Sequence, residues 1–285
     1  MTATDSPAVL RRYIAFELKR LRETCGYTQA QVASYMRCAQ SRITHVESQR
    51  NLPRLEFLEK LLRYYDCTED QVRHFAGLLE QANTKSWWTG IDHSREPLQF
   101  DLYLGLEEGA SRIESYDPLL IPGLLQTSEY AEAIIRAGQQ TEHDLDRQVN
   151  LRVRRQAALT RSDNPTHLWT VIDEQALNRP VAEPAVMREQ LDKLLDMSEL
   201  ANVTLQVCPV AIGGHPALTG PFTILHFPMP HDPGVVYIET RLKGLWFEEQ
   251  PEIDQYTQIM NHLRTIAASP EQSKKLLNDK REEHT

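Results

Sequence analysis

Cysteine is scarce. The 285 residues hold four, at Cys25, Cys38, Cys67 and Cys208, with no C-x-x-C pair. That leaves cysteine-rich zinc sites and secreted disulfide frameworks unsupported and fits reduced thiols in a cytoplasm. Long apolar runs are missing as well. The longest nearly apolar stretch, Leu119 to Leu125, is far short of the roughly 20 residues that span a bilayer. Met1 to Leu10 contains Asp5 and Pro7 and no apolar core of the signal-peptide kind. These absences predict a soluble, cytoplasmic protein with no membrane partner. There is no internal repeat and no low-complexity tract. An excess of basic charge is absent too: Lys plus Arg is 31, Asp plus Glu is 40, and the net charge is −9. A protein that coats nucleic acid without sequence preference would be basic, so that class is disfavoured. What is present is ordinary for a folded chain, 41 % hydrophobic and 25 % charged residues. The length suits about two domains at roughly 100–200 residues each.

The charge is uneven. Met1 to Tyr65 carries 11 Lys/Arg against 6 Asp/Glu, and the remainder carries 20 against 34. Such asymmetry points to a nucleic-acid-facing segment on an otherwise acidic protein, although a solvated basic helix gives the same count. The basic segment reads as five short helices. Leu10, Ile14, Leu18 and Leu21 form an apolar stripe at helical spacing. Gly26 is placed to stop that helix in a left-handed conformation, and Thr28 to cap the next. Val32, Ala33 and Met36 give the second helix one apolar side. Arg37-Cys38-Ala39 is a short turn, and Ile43 and Val46 are the buried side of a third helix. Leu55, Leu58 and Leu62 define a fourth, and Val72, Phe75 and Leu79 a fifth. Two short helices joined by a tight turn make a helix-turn-helix. The free side of its second helix carries Gln40, Ser41, Thr44 and His45, flanked by Arg42, the residue types that read base edges in a major groove. Gln29 opens the preceding helix, where its amide and the helix N–H groups suit a phosphate. Arg37, Arg50 and Arg54 surround the reading helix and suit phosphates by charge. The plainer reading is a five-helix bundle that touches only protein.

The run Tyr27-Thr28-Gln29-Ala30-Gln31-Val32-Ala33, followed by Gln40-Ser41-Arg42-Ile43-Thr44-His45-Val46-Glu47, resembles the xenobiotic-response-element (lambda-repressor-like) regulators over about Leu10 to Phe75. The resemblance implies an operator-binding domain. It also implies that Glu47 is structural and pairs with an arginine of the first helix, taken as Arg20. Ala39 departs from the family pattern, which has a Ser or Thr cap at that position, and this weakens the start of the reading helix by about 0.5–2 kcal/mol.

The boundaries that follow are 8–80 for the DNA-binding domain, 81–97 for a linker, 98–268 for an α+β domain that is mostly helical with a small sheet, and 269–285 for a polar tail. Phe100 to Tyr116 is predicted as one helix, with Tyr103, Leu106, Ala110 and Ile113 on one side. Further helices fall at Glu129 to Ala137, Leu145 to Leu159, Met187 to Leu200 and Ile253 to Ala267. Four strands fall at His167 to Ile172, Val203 to Val207, Phe222 to Phe227 and Val235 to Glu239. Pro122-Gly123-Leu124-Leu125-Gln126-Thr127 is a rigid turn into a helix that Thr127 or Ser128 can cap. It serves either as a structural corner or as one wall of a ligand or partner groove formed by Gln126, Tyr130, Arg152 and Arg155. Arginine offers a planar donor fork for a carboxylate or phosphate, and the alternative is a solvated helix side or pairing with Glu107 and Glu239.

This half has a resemblance of its own. Leu106-Glu107-Glu108-Gly109-Ala110, Ile121-Pro122-Gly123-Leu124-Leu125-Gln126-Thr127-Ser128-Glu129-Tyr130-Ala131 and Gln206-Val207-Cys208-Pro209 resemble a long C-terminal domain of Streptomyces-like actinobacterial regulators. The chemistry of that domain is undefined. The resemblance implies a regulator of development or secondary metabolism, often encoded beside a small partner protein.

Catalysis is not expected. Cys208 with His215 seven residues on could form a nucleophile and base, but Pro209 follows the cysteine directly and no oxyanion-hole glycines frame it. Glu107 and Glu108 are adjacent on a helix and point about 100° apart. His226, His231 and Asp232 are too scattered to predict a metal. No cofactor, metal or catalytic residue is assigned. The expected function is a homodimeric, sequence-specific transcription regulator that binds an operator in double-stranded DNA and receives a protein or small-molecule signal. The alternative is an antitoxin-like protein that chiefly holds a small partner.

Overall fold

A computed structural model describes residues 6–49, 51–84, 100–138 and 145–284. It divides into two units. The first combines the described N-terminal helices with Asp101–Gly109 and Phe227–Asp232, and the second comprises the rest.

The helices of the first unit are α1 Pro7–Thr24, α2 Gln29–Met36, α3 Gln40–Glu47, α4 Leu55–Tyr64 and α5 Glu69–Ala82. Their ends follow local chemistry. Proline opens α1, where no N–H partner is needed. Thr28 and Thr68 form capping boxes with Gln31 and Gln71, so at each start the N–H of the cap and that of the third helical residue are satisfied. α1 ends at Gly26, whose φ of 72° allows the Tyr27 N–H to reach back to the Arg22 carbonyl. α2 and α4 end in the same way, but on Arg37 and Asp66, non-glycine residues held at φ 53° and 56°. The stripes foreseen in the sequence meet in one core of Leu10, Ile14, Leu18, Val32, Met36, Ile43, Val46, Leu58, Leu62, Val72, Phe75 and Leu79. Leu55 is the exception, 47 % exposed at the first position of α4.

The first unit is larger than the 8–80 segment because two later pieces pack into it. α6 Phe100–Gly109 lies so close to α1 that a Cβ on Gly109 would sit 2.4 Å from a Val9 methyl, and Ser6 Oγ donates to the Gly105 carbonyl at 2.6 Å. The 227–232 loop is fixed by Arg12, whose guanidinium donates to Asp232 at 3.1 Å and lies over the Phe227 ring. Of the expected linker 81–97, the part from residue 85 on lies outside the described residues, and residues up to Ala82 continue α5.

The second unit is built on six strands: β1 Arg112–Asp117, β2 His167–Asp173, β3 Val203–Cys208, β4 Phe222–His226, β5 Val235–Glu239 and β6 Gly244–Phe247, in the order β3-β2-β1-β4-β5-β6. β1, β2 and β3 are parallel, and β1-β4, β4-β5 and β5-β6 are antiparallel. Parallel strands need crossovers. Here α7 Ser128–Gly138, α8 Leu145–Arg155 and α9 Ala157–Thr160 lead from β1 to β2, and α10 Glu174–Asn178 and α11 Pro184–Ser198 lead from β2 to β3. The chain closes with α12 Gln250–Ile266 and α13 Pro270–Glu283. The α+β class therefore stands, with four of the six strands where the sequence placed them.

Two expectations are corrected. Residues 112–116 are not the end of a helix but part of the central strand β1, because Ile113, Glu114, Ser115 and Tyr116 are all buried between neighbours on both sides. Of the expected tail 269–285, the described residues 269–284 are not a separate tail. Ser269 caps α13, Leu277 and Ser273 are buried, and the Ser273 hydroxyl accepts from the Val207 N–H on β3 at 2.9 Å.

β1 carries a buried carboxylate, Glu114. It meets Arg264 Nη2 of α12 at 2.9 Å, Arg112 Nε at 3.1 Å and His226 Nε2 of β4 at 3.5 Å. Burial alone would raise its pKa, but His226 and Arg264 outweigh it and hold the carboxyl at about 2. A carboxyl with a depressed folded pKa stabilises the protein above its unfolded pKa and loses that contribution as the pH falls through the folded one. Denaturation in pH steps should therefore show about 3 kcal/mol of stability disappearing between about pH 4.5 and 2. Glu114→Gln should flatten that acid limb, and an acid limb of the same depth in the variant would refute the assignment.

Candidate nucleic-acid interface

The orientation of α3 is set by one guanidinium. Arg22, in the last turn of α1 and 8 % exposed, donates from Nε to Glu47 Oε1 at 2.7 Å and from Nη2 to Glu47 Oε2 at 2.9 Å. Its Nη1 donates to the Tyr27 carbonyl at 2.9 Å, in the turn that leads to α2. Glu47 is the last residue of α3 and its side chain is 5 % exposed. The glutamate is structural, as the family resemblance implied, but its partner is Arg22. Arg20 instead forms a bidentate pair with Glu17 one turn before it. The spacing explains the exchange: Arg22 lies at the α1 end that meets α3, whereas Arg20 points about 200° round the helix from it.

The network continues outward. Gln29 Nε2 of α2 donates to Glu47 Oε2 at 2.8 Å, and Gln29 Oε1 accepts from the Thr44 hydroxyl of α3 at 2.9 Å. Both polar ends of Gln29 are thus engaged with the protein. The N-terminal N–H groups of α2 and the second amide hydrogen of Gln29 remain the candidate phosphate donors. The Thr44 hydroxyl also lies 3.3 Å from the Gln40 carbonyl, so its proton is shared within the protein.

Gln40, Ser41 and Arg42 are exposed, Thr44 is exposed, and His45 is half-buried. Ile43 and Val46 turn inward, as predicted. Ala39 offers no side-chain cap to α3. Arg42 is not a free tether: its guanidinium lies 4.0 Å from the centre of the Phe57 ring, which holds the charge beside α3. Arg37 and Arg54 are both exposed, one in the turn before α3 and one at the cap of α4. Arg50 lies outside the described residues. The sequence reading missed a stack of tyrosines on this unit. Tyr64 lies between Tyr27, at 4.7 Å, and Tyr35, at 3.8 Å, with Lys60 over Tyr35. The only sequence signal was their recurrence among otherwise apolar or charged helix positions.

The four residues considered for a groove in the second unit are brought together, but as a corner. Gln126 is 2 % exposed; its Nε2 donates to the Ile121 carbonyl at 2.7 Å and its Oε1 accepts from Arg152 Nη1 at 3.0 Å. Tyr130 is fully buried, and its hydroxyl accepts from the Ile121 N–H at 3.3 Å. Arg155 lies over the Phe100 ring at 5.8 Å. Thr127 caps α7 through the Tyr130 N–H, and the buried Gln190 of α11 bonds both the Thr127 N–H and the Leu125 carbonyl. Gln126 and Tyr130 are thus buried, and their polar ends are engaged with Ile121 and Arg152.

Comparison with known proteins gives two family matches. Residues 14–75 match the family described as Helix-turn-helix domain, and residues 100–279 match the Domain of unknown function (DUF5753). The chain belongs to the DUF5753 family. No curated protein and no solved structure matches it. Its helix-turn-helix supports a DNA-binding regulator. No helix among the described residues is long and apolar enough to cross a membrane.

Removing one member of a buried ion pair strands the other, at a cost of about 3–5 kcal/mol. Glu47→Ala should lower the stability of the first unit by about 3 kcal/mol, followed by urea denaturation monitored at the tyrosines. Glu69→Ala, which breaks an exposed pair with Arg63, should leave the midpoint where it is. Equal effects of the two substitutions would show that the network does not position α3. Arg37 supports a second expectation. A left-handed conformation costs a non-glycine residue about 1–2 kcal/mol. Arg37→Gly should therefore raise the unit's stability by about 1 kcal/mol while removing an exposed charge next to α3.

Proposed function

We propose that this DUF5753 protein is a sequence-specific transcription regulator whose α3 enters the major groove of an operator. The observation that carries the reading is the Arg22–Glu47–Gln29–Thr44 network. It fixes α3 by one face and its C-terminal end, and leaves Gln40, Ser41, Arg42 and Thr44 outward. Gln40 is suited to the N6/N7 edge of adenine, Ser41 and Thr44 to several base edges, and Arg42 to guanine O6/N7. His45, half-buried, flanks them. Arg37 and Arg54 are suited to phosphates, and with them Arg50 by its place in the sequence and the start of α2 at Gln29.

The protein acts as a homodimer in this reading, because a single module reads too few base pairs for a specific site and doubling supplies the difference. The C-terminal unit receives the signal, from a small protein encoded by a neighbouring gene or from a small molecule. It works without catalysis, in the cytoplasm, on genes of development or secondary metabolism.

The test is fluorescence-anisotropy titration with a duplex from upstream of the protein's own gene, against a scrambled duplex, at near-physiological salt. A preference of about a thousandfold or more is expected. Gln40→Ala should weaken the specific complex by about 1–3 kcal/mol and leave the scrambled one unchanged. Arg37→Gly should weaken both and flatten the salt dependence by about one phosphate. Equal, weak binding to both duplexes, with and without the neighbouring small protein, would sink the DNA reading in favour of a partner-holding one.

A further inference from the structure

In open sheets with parallel strands, ligands bind beyond the carboxyl ends of those strands. β1, β2 and β3 end together on Tyr116-Asp117, Asp173 and Cys208, and Asp173 and Cys208 are direct register partners. The chain then leaves β3 through Pro209 and a single turn, Val210–Ile212, whose first N–H donates to Glu174 at 3.0 Å. It reverses at Gly213, where φ is 74°. The reversal returns His215 to the strand ends. Asp173, Cys208 and His215 then each present a ligand atom within 4.8 Å of the other two.

Three features set this cluster apart from a chance meeting of polar groups. Two of its three members are buried: Asp173 is 8 % and Cys208 1 % exposed, and His215 is half-buried. Its carboxylate is already oriented from outside. Asp173 Oδ1 accepts from the Gln175 N–H at 2.9 Å, and Oδ2 accepts from the Tyr116 hydroxyl at 3.2 Å, the kind of outer contact that holds a metal-binding carboxylate in place. Finally, His215 Nδ1 is buried with no hydrogen-bond partner, while Nε2 lies 3.4 Å from the Tyr116 oxygen. Buried polar atoms are nearly always satisfied, so an orphaned imidazole nitrogen among a thiol and a carboxylate indicates something to be bound.

We propose that Asp173, Cys208 and His215 form a zinc site at the carboxyl edge of the parallel strands. Zinc takes sulfur, nitrogen and oxygen donors together in a tetrahedral arrangement. At usual bond lengths its donors stand about 3.3–3.6 Å apart, so these three atoms need to close by little more than about 1 Å. Three protein donors leave one tetrahedral position for water or an incoming ligand. Tyr116 is a positioning residue, acting through Asp173. A nucleophilic role for Cys208 fits less well. Burial and the neighbouring Asp173 carboxylate push the thiol up to about 11, the opposite of what activation requires, whereas a bound dication would favour the thiolate. The inference concerns the second unit alone and does not rest on DNA binding.

The test uses the full chain, reduced and stripped of metal with a chelator. Titration with Co2+ should produce the near-ultraviolet absorption of a thiolate–cobalt bond at one equivalent, and Zn2+ should bleach it. Cys208→Ser should abolish the band, whereas Cys38→Ser should keep it. His215→Gln, on a half-exposed loop, should weaken binding by about a hundredfold or more, and Tyr116→Phe by about tenfold. As a check that does not depend on cobalt, Zn2+ should raise the melting temperature of the wild type and not that of His215→Gln. No thiolate–cobalt band in the wild type, or a band that survives Cys208→Ser, would overturn the proposal.

Discussion

A helix of eight residues is not stable alone, and α3 has less support than most. It buries only Ile43 and Val46, Ala39 gives it no side-chain cap, and an acidic residue, Glu47, stands at its negative end. Its position in the structure therefore depends on Arg22. That guanidinium neutralises Glu47, offers a cation to the carboxyl ends of both α1 and α3, and ties the intervening turn through the Tyr27 carbonyl. Only a planar group with several fixed donors can do this at once, so lysine is no substitute. A buried ion pair gives little net stability against an apolar equivalent, because both ions must be desolvated. What it gives here is geometry: two carboxylate oxygens, two guanidinium nitrogens and the amide of Gln29 admit one orientation of α3 relative to α1 and α2.

The second unit achieves the same end chiefly with uncharged groups. Its turn from Ile121 to Thr127 joins β1 to α7, and uncharged amides hold most of it. Gln126 bonds the Ile121 carbonyl, Gln156 the Gly123 and Gln126 carbonyls, and Gln190 both Leu125 and Thr127. Two cations join them: Lys193 donates to the Gln126 carbonyl and to Gln156, and Arg152 donates to Gln126 Oε1. A glutamine carries a donor and an acceptor at fixed separation, so it can replace a missing stretch of backbone pairing without the desolvation cost of an ion. The corner fixes where the crossover leaves β1, and with it where β2 lies beside β1.

The first unit was legible in the sequence because its signals are local. Helical periodicity, Gly26, Thr28 and the turn at 37–39 each act within a few residues, and the core followed from them. The Glu47 pairing was legible in kind but not in partner, since Arg20 and Arg22 differ only in their angle round α1. The second unit hid its central strand. β1 reads Arg-Ile-Glu-Ser-Tyr-Asp, without a β-branched run or alternation. Its buried polar residues meet distant partners: Glu114 Oε1 meets Arg264 and His226, and the Ser115 hydroxyl meets that of Thr170 at 2.8 Å. Ile113 also continued the helical stripe of Tyr103, Leu106 and Ala110, so a period-of-3.6 reading ran through the break. β6 is only four residues, Gly244–Phe247, too short for alternation to register. The burial of Gln126 and Tyr130 had no local signal either, because it is the fold that encloses them.

The acidity of the chain bears on all of this through distance. At physiological salt a charge is largely screened beyond about 8 Å. What an approaching phosphate feels near α3 is therefore set by the exposed Arg37, Arg42 and Arg54, and much less by a net charge of −9 over 285 residues. Arg42 is the most fixed of the three, because the Phe57 ring beneath it removes much of its rotamer freedom before any contact is made. The inner members of the α3 network, Arg22 and Glu47, are screened by burial instead, so salt should weaken contacts made by the outer arginines well before it loosens the geometry that aims them. The charges that hold the fold of the first unit are thus not the ones it exposes beside α3, and for that reason the two sets can be separated by ionic strength.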